Sequence, residues 1–364
     1  MALRVLHYVD ENSLSWAEPW LQLLEELKAL GVENVILCRP GGSLGDKAES
    51  RGFSVWRYRP PFPWAPALCR GVPSVLKAVK PDLIHTRLST AAALGGYWGS
   101  KLGIPVLSTI DKYPKAKYYR WSSHIVGCSS AVSEHMKGLG FPPNKVSTVH
   151  NPIKVERYAR DEEARKSLRA RAGVGEGEVL FLGCGRFVGW KAFDALLLAY
   201  DKLPASRPHR LWIAGSGAME REWRALSRSL PSHDRVSFFG FVEDIRPLLW
   251  AADVFVQPSK EPEGFSLMLL EAAAAGLPLI ATAIGGTLDI VDERCGWLVP
   301  PDDADALARA MSRALDEDLT EKGLLAADKA RQFDVSIIAR RYADEYERVM
   351  SNHQLVIVVK EMGR

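Results

Sequence analysis

Two carboxylates and two cations in the second half of the chain have the types and spacing to hold a ligand. Glu263 and Glu271 form an E-x7-E pair within EPEGFSLMLLEAAAAGLPLIATAIGG, residues 261–286. Glu263 sits beside Pro262 and Gly264 in an expected loop. Glu271 falls inside the helix that Ser266 or Phe265 should open, where Leu267, Met268, Ala274 and Ala275 are its neighbours at helical spacing. Leu269, Leu270, Ala272 and Ala273 occupy the other faces, so the helix is apolar all round and is expected to be buried. An ionised carboxylate there costs ~1–3 kcal/mol unless something hydrogen-bonds to it. A buried Arg or Lys partner, a helix end near solvent, and a ligand that donates hydrogen bonds are the open readings.

The cations lie in LFLGCGRFVGWKAFDALLLAY, residues 180–200, which reads as strand, glycine turn and helix. Gly183 and Gly185 permit close backbone approach, while Arg186 and Lys191 stand at the mouth of the helix. Cations there oppose the helix dipole, so intrinsic stability does not favour them. A bound anion would reconcile the two, because the dipole, the free amides and both cations attract phosphate. The alternative is a pair of solvated surface charges. LWIAGSGAMEREW, residues 211–223, repeats the pattern with Gly215 and Gly217, although a single G-x-G most often marks only a turn.

The elements that would position these groups are those of an α/β protein. Strand-like runs at 4–9, 34–39, 53–58, 83–86, 105–110, 125–128 and 146–149 alternate with amphipathic stretches, the first carrying Trp16, Trp20, Leu23, Leu24 and Leu27. The charged, glycine-punctuated segment 155–179 reads as a crossing between domains. Strands then resume at 179–184, 210–214, 236–239, 254–257, 278–282 and 296–299. Two doubly wound Rossmann-like domains are expected, residues 1–155 and 156–344, with ligands at the carboxyl ends of the strands. The helical stretch 335–350 should pack across the domain junction, and the end of the chain, about 345–364, should return to the first domain. Its last part, HQLVIVVKEMGR, is β-prone and reads as an edge strand or a frayed end.

A length of 364 residues exceeds one ordinary domain of ~100–200 residues. The hydrophobic share of 47%, charged share of 25% and net charge of +3 suit a globular protein and carry no basic stripe for nucleic acid. The five cysteines are widely spaced and form no C-x-x-C pair, so neither a disulfide framework nor a zinc site is indicated. No secretory leader pattern or membrane-length apolar run is visible, and a cytoplasmic location is expected.

The ordered segments GRFVGWK, IAGSG, FFGFVEDIRPLLWAADVFVQPS, EGFSLMLLEAAAAGLPLIATAIGG and GWLVPPDDADALARAM resemble the nucleotide-sugar domain of glycosyltransferase family 4, retaining enzymes of the GT-B fold. The resemblance spans residues 179–350. It implies two domains facing a central cleft and a nucleoside diphosphate sugar as donor. Glu271 would take the ribose hydroxyls and Glu263 would lie near the sugar. Arg186 and Lys191 would hold the diphosphate, helped by backbone amides of Gly264, Phe265 and Ser266. Fixed cations and a helix terminus would then stabilise the leaving group without a metal.

The first domain resembles the family less closely. Ser15 and Trp16 stand where many relatives have a Gly-Gly loop; Trp16 would either narrow the site or leave the donor to the other domain. Asp111 stands where a His near the transferred sugar is common, and reads either as a group that binds sugar or acceptor hydroxyls, or serves as a base, or as a strand-end carboxylate in a turn. Asn151-Pro152 replaces the family's usual Asn-Gly pair, and His85 is a further candidate. Two basic-aromatic clusters, residues 55–70 and 111–124, suit an anionic membrane surface, sugar stacking or a solvated loop. The expected activity is transfer of a sugar, with retained configuration, to a hydroxyl of a saccharide or lipid-linked acceptor, as in cell-surface polysaccharide or lipopolysaccharide synthesis. A nucleotide-sugar 2-epimerase and a donor-binding protein without catalysis are the rivals.

Overall fold

The computed structural model describes residues 2–14 and 16–362. The chain divides into two units, residues 1–152 with 334–364, and residues 153–333.

In the first unit, β1 (Arg4–Val9), β2 (Glu33–Cys38), β3 (Ser54–Arg57), β4 (Leu83–Arg87), β5 (Val106–Ile110), β6 (His124–Gly127) and β7 (Val146–Thr148) form one sheet in the order β3-β2-β1-β4-β5-β6-β7. Every pairing is parallel. Such a sheet is covered on both faces, which is why the central strands read as unbroken apolar runs. The helix Ala17–Ala29 buries Trp20, Leu21, Leu23, Leu24 and Leu27 against it, as the spacing predicts, while Trp16 stops just short of the helix.

In the second unit, β8 (Val179–Cys184), β9 (His209–Ala214), β10 (Val236–Gly240), β11 (Val254–Gln257), β12 (Leu279–Thr282) and β13 (Gly296–Val299) repeat the order as β10-β9-β8-β11-β12-β13, again all parallel. Each sheet therefore has a switch point, between β1 and β4 and between β8 and β11, where successive connections leave in opposite directions. Loops diverge there and open a crevice at the carboxyl ends of the strands.

The chain's return to the first unit differs from the expectation. It comes at Asp334 rather than near 344, because the helix Val335–Met362 buries Val335, Ile338, Ala339, Tyr342, Tyr346 and Val349 in the same core as Trp20 and Leu24. The β-prone end is no strand: the helix simply continues to Met362. β-Branched residues lower helix propensity by only fractions of a kcal/mol each, and continuing an established helix needs no new nucleation.

Tyr342 and Tyr346 reach a polar nest inside this core. His85 bonds Tyr346 Oη through Nδ1 at 2.7 Å and Thr109 Oγ1 through Nε2 at 2.8 Å, and Thr109 Oγ1 lies 3.1 Å from Tyr342 Oη. Burial drives the His85 pKa well below its usual value, so the ring is neutral and structural. Replacing Tyr346 with Phe strands one buried ring nitrogen and should lower unfolding free energy by about 1–3 kcal/mol in urea titrations. An unchanged midpoint would show that the nest does not anchor the helix.

Candidate functional site

At the switch point of the second unit, the loop after β8 meets the loop after β11. The chain leaves β8 through Cys184, Gly185 and Arg186, makes a single turn at Gly189–Lys191, and enters the helix Phe193–Asp201 through Ala192 in a left-handed conformation. That turn aims Lys191 inward. Only 7% of Lys191 is exposed, and its Nζ donates to Glu263 Oε1 at 2.7 Å. Ser259 Oγ donates to the same oxygen at 2.7 Å. The Trp190 ring lies 4.8 Å from Lys191 Nζ and 6.0 Å from the guanidinium of Arg186. Arg186 itself is exposed. The two cations, alike in sequence, are thus unlike in space: Arg186 faces water, and Lys191 is a buried partner of Glu263. The opposition between Lys191 and the helix dipole is met by a carboxylate supplied from 72 positions away.

Glu271 lies in the helix Leu267–Ala274, which is capped by the Ser266 side chain accepting from Leu269 N. Leu269, Leu270, Ala272 and Ala273 on the other faces are buried, as expected, but Leu267 and Met268 on the face of Glu271, and Glu271 itself, are only half-buried. The turn Val155–Tyr158 packs on this helix and brings Tyr158 and Arg157 near the carboxylate. Burial raises the Glu271 pKa from 4.5 to about 7, against the pull of Tyr158 and Arg157 and with a smaller push from Asp244. Cys184, at the end of β8, feels the charges of both Glu271 and Lys191, and burial lifts its thiol to about 12. Cys184 thus lies near both Glu271 and Lys191.

The glycine loops are shaped mainly by each other. Gly215 has φ +141°, and a Cβ there would stand 1.9 Å from Gly185 O; Gly217 has φ +152° and would press on Phe187 O at 2.5 Å. These glycines let the loop after β9 lie against the loop after β8, joined by Phe187 N to Ser216 O at 2.8 Å and Met219 N to Phe187 O at 3.0 Å. A close approach of the same kind fixes Glu263. Gly286 N donates to Glu263 O at 3.0 Å, and a Cβ on Gly286 would meet Gly264 O at 2.1 Å. Gly264, Phe265 and Ser266 are all buried; Phe265 packs on Phe333 with ring centroids 5.4 Å apart, and Ser266 Oγ donates to Gln257 Oε1 at 2.6 Å.

In the first unit, the carboxyl ends of β4 and β5 hold Arg87 and Asp111. Arg87 is 3% exposed; its Nη2 donates to Asp111 Oδ1 at 3.1 Å and to Asn151 Oδ1 at 2.7 Å, and its guanidinium lies 4.8 Å from the Trp16 ring. Asp111 is therefore tied to an arginine rather than loose in a turn, and Trp16 is a stacking platform for Arg87. Ser15 lies outside the described residues. Arg87, Tyr158, Ser259 and Trp190 were missing from the sequence reading. Arg87 meets Asp111 and Asn151 across the fold, so no spacing marks it, whereas Ser259 and Trp190 stand close in sequence to Glu263 and Lys191 and could have been found there; Tyr158, an aromatic hydroxyl in the charged crossing segment, was a visible oddity.

Comparison with known proteins agrees with this architecture. Residues 20–157 match the family model described as Glycosyltransferase Family 4, and residues 176–317 match that described as Glycosyl transferases group 1. The D-inositol 3-phosphate glycosyltransferase 2 of Catenulispora acidiphila is 30% identical over 304 residues, covering 73% of this chain and 70% of that protein. The lipopolysaccharide core biosynthesis glycosyltransferase LpsE of Rhizobium meliloti is 27% identical over 305 residues, covering 81% and 83%. Among solved structures, Anabaena HepE in complex with UDP superposes with a TM-score of 0.84 at 19% identity, covering 95% of this chain and all of that one, and its UDP-glucose complex gives 0.81 at 20% with the same coverage. With both halves matched in order and the two Rossmann-like units of the GT-B fold in place, the chain belongs to the family 4 glycosyltransferases.

Proposed function

We propose that this glycosyltransferase moves a hexosyl group, with retained anomeric configuration, from a nucleoside diphosphate sugar to a hydroxyl of a saccharide or lipid-linked acceptor. The observation that carries the reading is the pairing of an inward-facing lysine with Glu263 beside the half-buried Glu271 at the switch point of the second unit. UDP, the nucleotide bound in the HepE structures, is the donor nucleotide of first choice. In this reading the ribose hydroxyls donate to Glu271, and Glu263 orients the sugar. Lys191, whose ammonium has three donors, shares itself between Glu263 and the diphosphate. Arg186 closes on the diphosphate from the solvent side, and the amides that open the helix Leu267–Ala274 complete the anion seat. As the anomeric C–O bond breaks, the diphosphate takes the electron pair and the acceptor oxygen attacks the same face, passing its proton to the departing phosphate oxygen. The charge is assigned to fixed cations rather than to a metal or other resident cofactor.

Lys191→Ala should lower kcat by about 10²–10³, the usual loss for one group that stabilises developing charge. Glu271→Ala should instead weaken donor binding by about 10- to 100-fold with a smaller change in kcat. Both variants binding and turning over UDP-sugars as the parent does would remove the site assignment. A donor panel read by mass and anomeric NMR separates transfer from donor interconversion and from binding alone.

The raised Glu271 pKa sets a pH dependence. Accepting from two hydroxyls requires the carboxylate, so UDP affinity should fall as the pH drops through about 7 and lose roughly tenfold by pH 6. The free protein behaves oppositely. With the folded pKa above the unfolded value of 4.5, Glu271 favours folding in its protonated form, so its contribution to stability declines as pH rises through the same window. Calorimetric titration of UDP between pH 5.5 and 8.5 tests the sign; a flat profile rejects it.

The same proposal seats the first unit on an anionic membrane, where lipid-linked acceptors lie. No helix among the described residues is long and apolar enough to cross a membrane, so contact would be peripheral. The two basic-aromatic clusters are joined by the helix Ser89–Leu102: Trp98 Nε1 donates to Pro66 O at 2.9 Å, and Tyr97 meets Trp121 at 5.4 Å. Trp64 is 78% exposed, Leu68 58% and Phe62 44%. Between Asp82 and Glu134 the sequence has one acid, Asp111, which Arg87 holds. Exposed Lys115, Lys117 and Arg120 would each contribute about 1 kcal/mol on anionic lipid, with Trp64 at the interface. Replacing those three cations, or Trp64, by Ser should reduce co-sedimentation with phosphatidylglycerol vesicles at low salt; no binding by the parent protein sinks the idea.

A further inference from the structure

We infer that Trp190 is a positioning residue of the donor site, its indole holding Lys191 and Arg186 ready for a diphosphate. The inference rests on the reading of those two cations given above and adds an aromatic residue that no ligand-binding pattern in the sequence indicates.

Trp190 is the middle residue of the single turn Gly189–Lys191. Its backbone is fixed from two sides. Lys191 N donates to Val188 O at 2.9 Å, which closes the turn, and Lys260 N donates to Trp190 O at 2.9 Å. The second bond ties the turn after β8 to the loop after β11 that carries Glu263. That loop is held in its own right, because Thr282 Oγ1 donates to Ser259 O at 2.6 Å. Ala192, with φ 50°, then leads the chain into the helix Phe193–Asp201. A half-buried indole is thereby fixed at the mouth of that helix.

Two cations share this ring. Lys191 Nζ lies 4.8 Å from its centroid and the Arg186 guanidinium 6.0 Å, both within reach of the electron-rich face. They differ in what else holds them. Lys191 has Glu263 at 2.7 Å. Arg186 is exposed, and no carboxylate among the described residues lies within ion-pairing distance of it, so the indole is what restrains its long stem.

An aromatic face does for these cations what a further carboxylate could not. A carboxylate would take up N–H donors and cancel positive charge, and an anionic ligand needs both. The ring attracts the charge through its quadrupole and leaves the donors to other groups. The three donors of the Lys191 ammonium are then divided between Glu263 and phosphate oxygens, and the planar fork of Arg186 stays available for bidentate contact. Restraining a rotamer-rich side chain before the ligand arrives also removes its ordering cost from the binding step.

The test compares nucleoside diphosphates with their monophosphates by calorimetry: UDP with UMP, GDP with GMP and ADP with AMP. In the parent protein at least one diphosphate should bind more tightly than its monophosphate. For that pair, Trp190→Leu should weaken the diphosphate about three- to tenfold, the loss expected when long side chains must be ordered on binding, and change the monophosphate by less than about twofold. Trp190→Phe keeps an aromatic face and should recover most of the loss. Equal weakening of both nucleotides would reduce Trp190 to a packing role. Equal affinities in the Leu and Phe variants, or an unchanged diphosphate in Trp190→Leu, would likewise overturn the inference. Lys191→Ala separates the inference from the reading beneath it. If that variant keeps the diphosphate preference intact, or the parent has none, the diphosphate assignment fails and Trp190 falls with it. If Lys191→Ala abolishes the preference and Trp190→Leu retains it in full, only the role of Trp190 is lost.

Discussion

The contact on which the second unit's site depends is the 2.7 Å ion pair between Lys191 and Glu263. Both groups are largely withdrawn from water, with side chains 8% and 14% exposed. Desolvation on this scale cancels much of the Coulombic gain, so a buried pair of this kind is a poor investment in stability alone. It makes physical sense where a ligand takes over part of the pairing. Ser259 and the Gly286 amide hold the Glu263 segment while Lys191 remains a point charge on a flexible stem. A lysine already desolvated by its partner can meet a diphosphate with little further loss of hydration.

The loops on either side of that pair approach at distances a side chain would forbid. Gly215, after β9, lies against Gly185 after β8, and Gly286, after β12, lies against Gly264 after β11, while Lys260 N donates to Trp190 O at 2.9 Å to join the turns after β8 and β11. The glycines therefore act one step behind the chemistry, as spacers between loops. At Glu271 the apolar helix has no cation of its own, and the nearby Tyr158 and Arg157 come from the turn that opens the second unit.

The first unit is built by a different rule. Its polar groups at the strand ends pair largely with one another: Arg87 takes Asp111 and Asn151, leaving Arg87 Nε and Asp111 Oδ2 without a partner, and His85 takes Thr109 and Tyr346. The helix Val335–Met362 completes that interior by burying its own apolar stripe there. On the outside the unit carries exposed aromatics and cations on the loops packed against the helix Ser89–Leu102.

Much of this was legible in the chain itself. Period-two and continuous apolar runs marked nearly all the strands within a residue or two, and their alternation with amphipathic stretches required parallel doubly wound sheets. The capped helix around Glu271 and the glycine turn before Lys191 followed from local rules. Where the chain returns to the first unit, and that its β-prone end stays helical, did not, because core burial outweighs weak local propensity. Nor did the sequence distinguish exposed Arg186 from buried Lys191, or foresee Tyr158 under Glu271 and Arg87 beside Asp111. Sequence alone determined which groups line the strand ends, since strand and turn formation is local. Which of them are paired, buried or left free for a ligand was decided by contacts between residues far apart in the chain, and only the tertiary structure brings those within hydrogen-bonding reach.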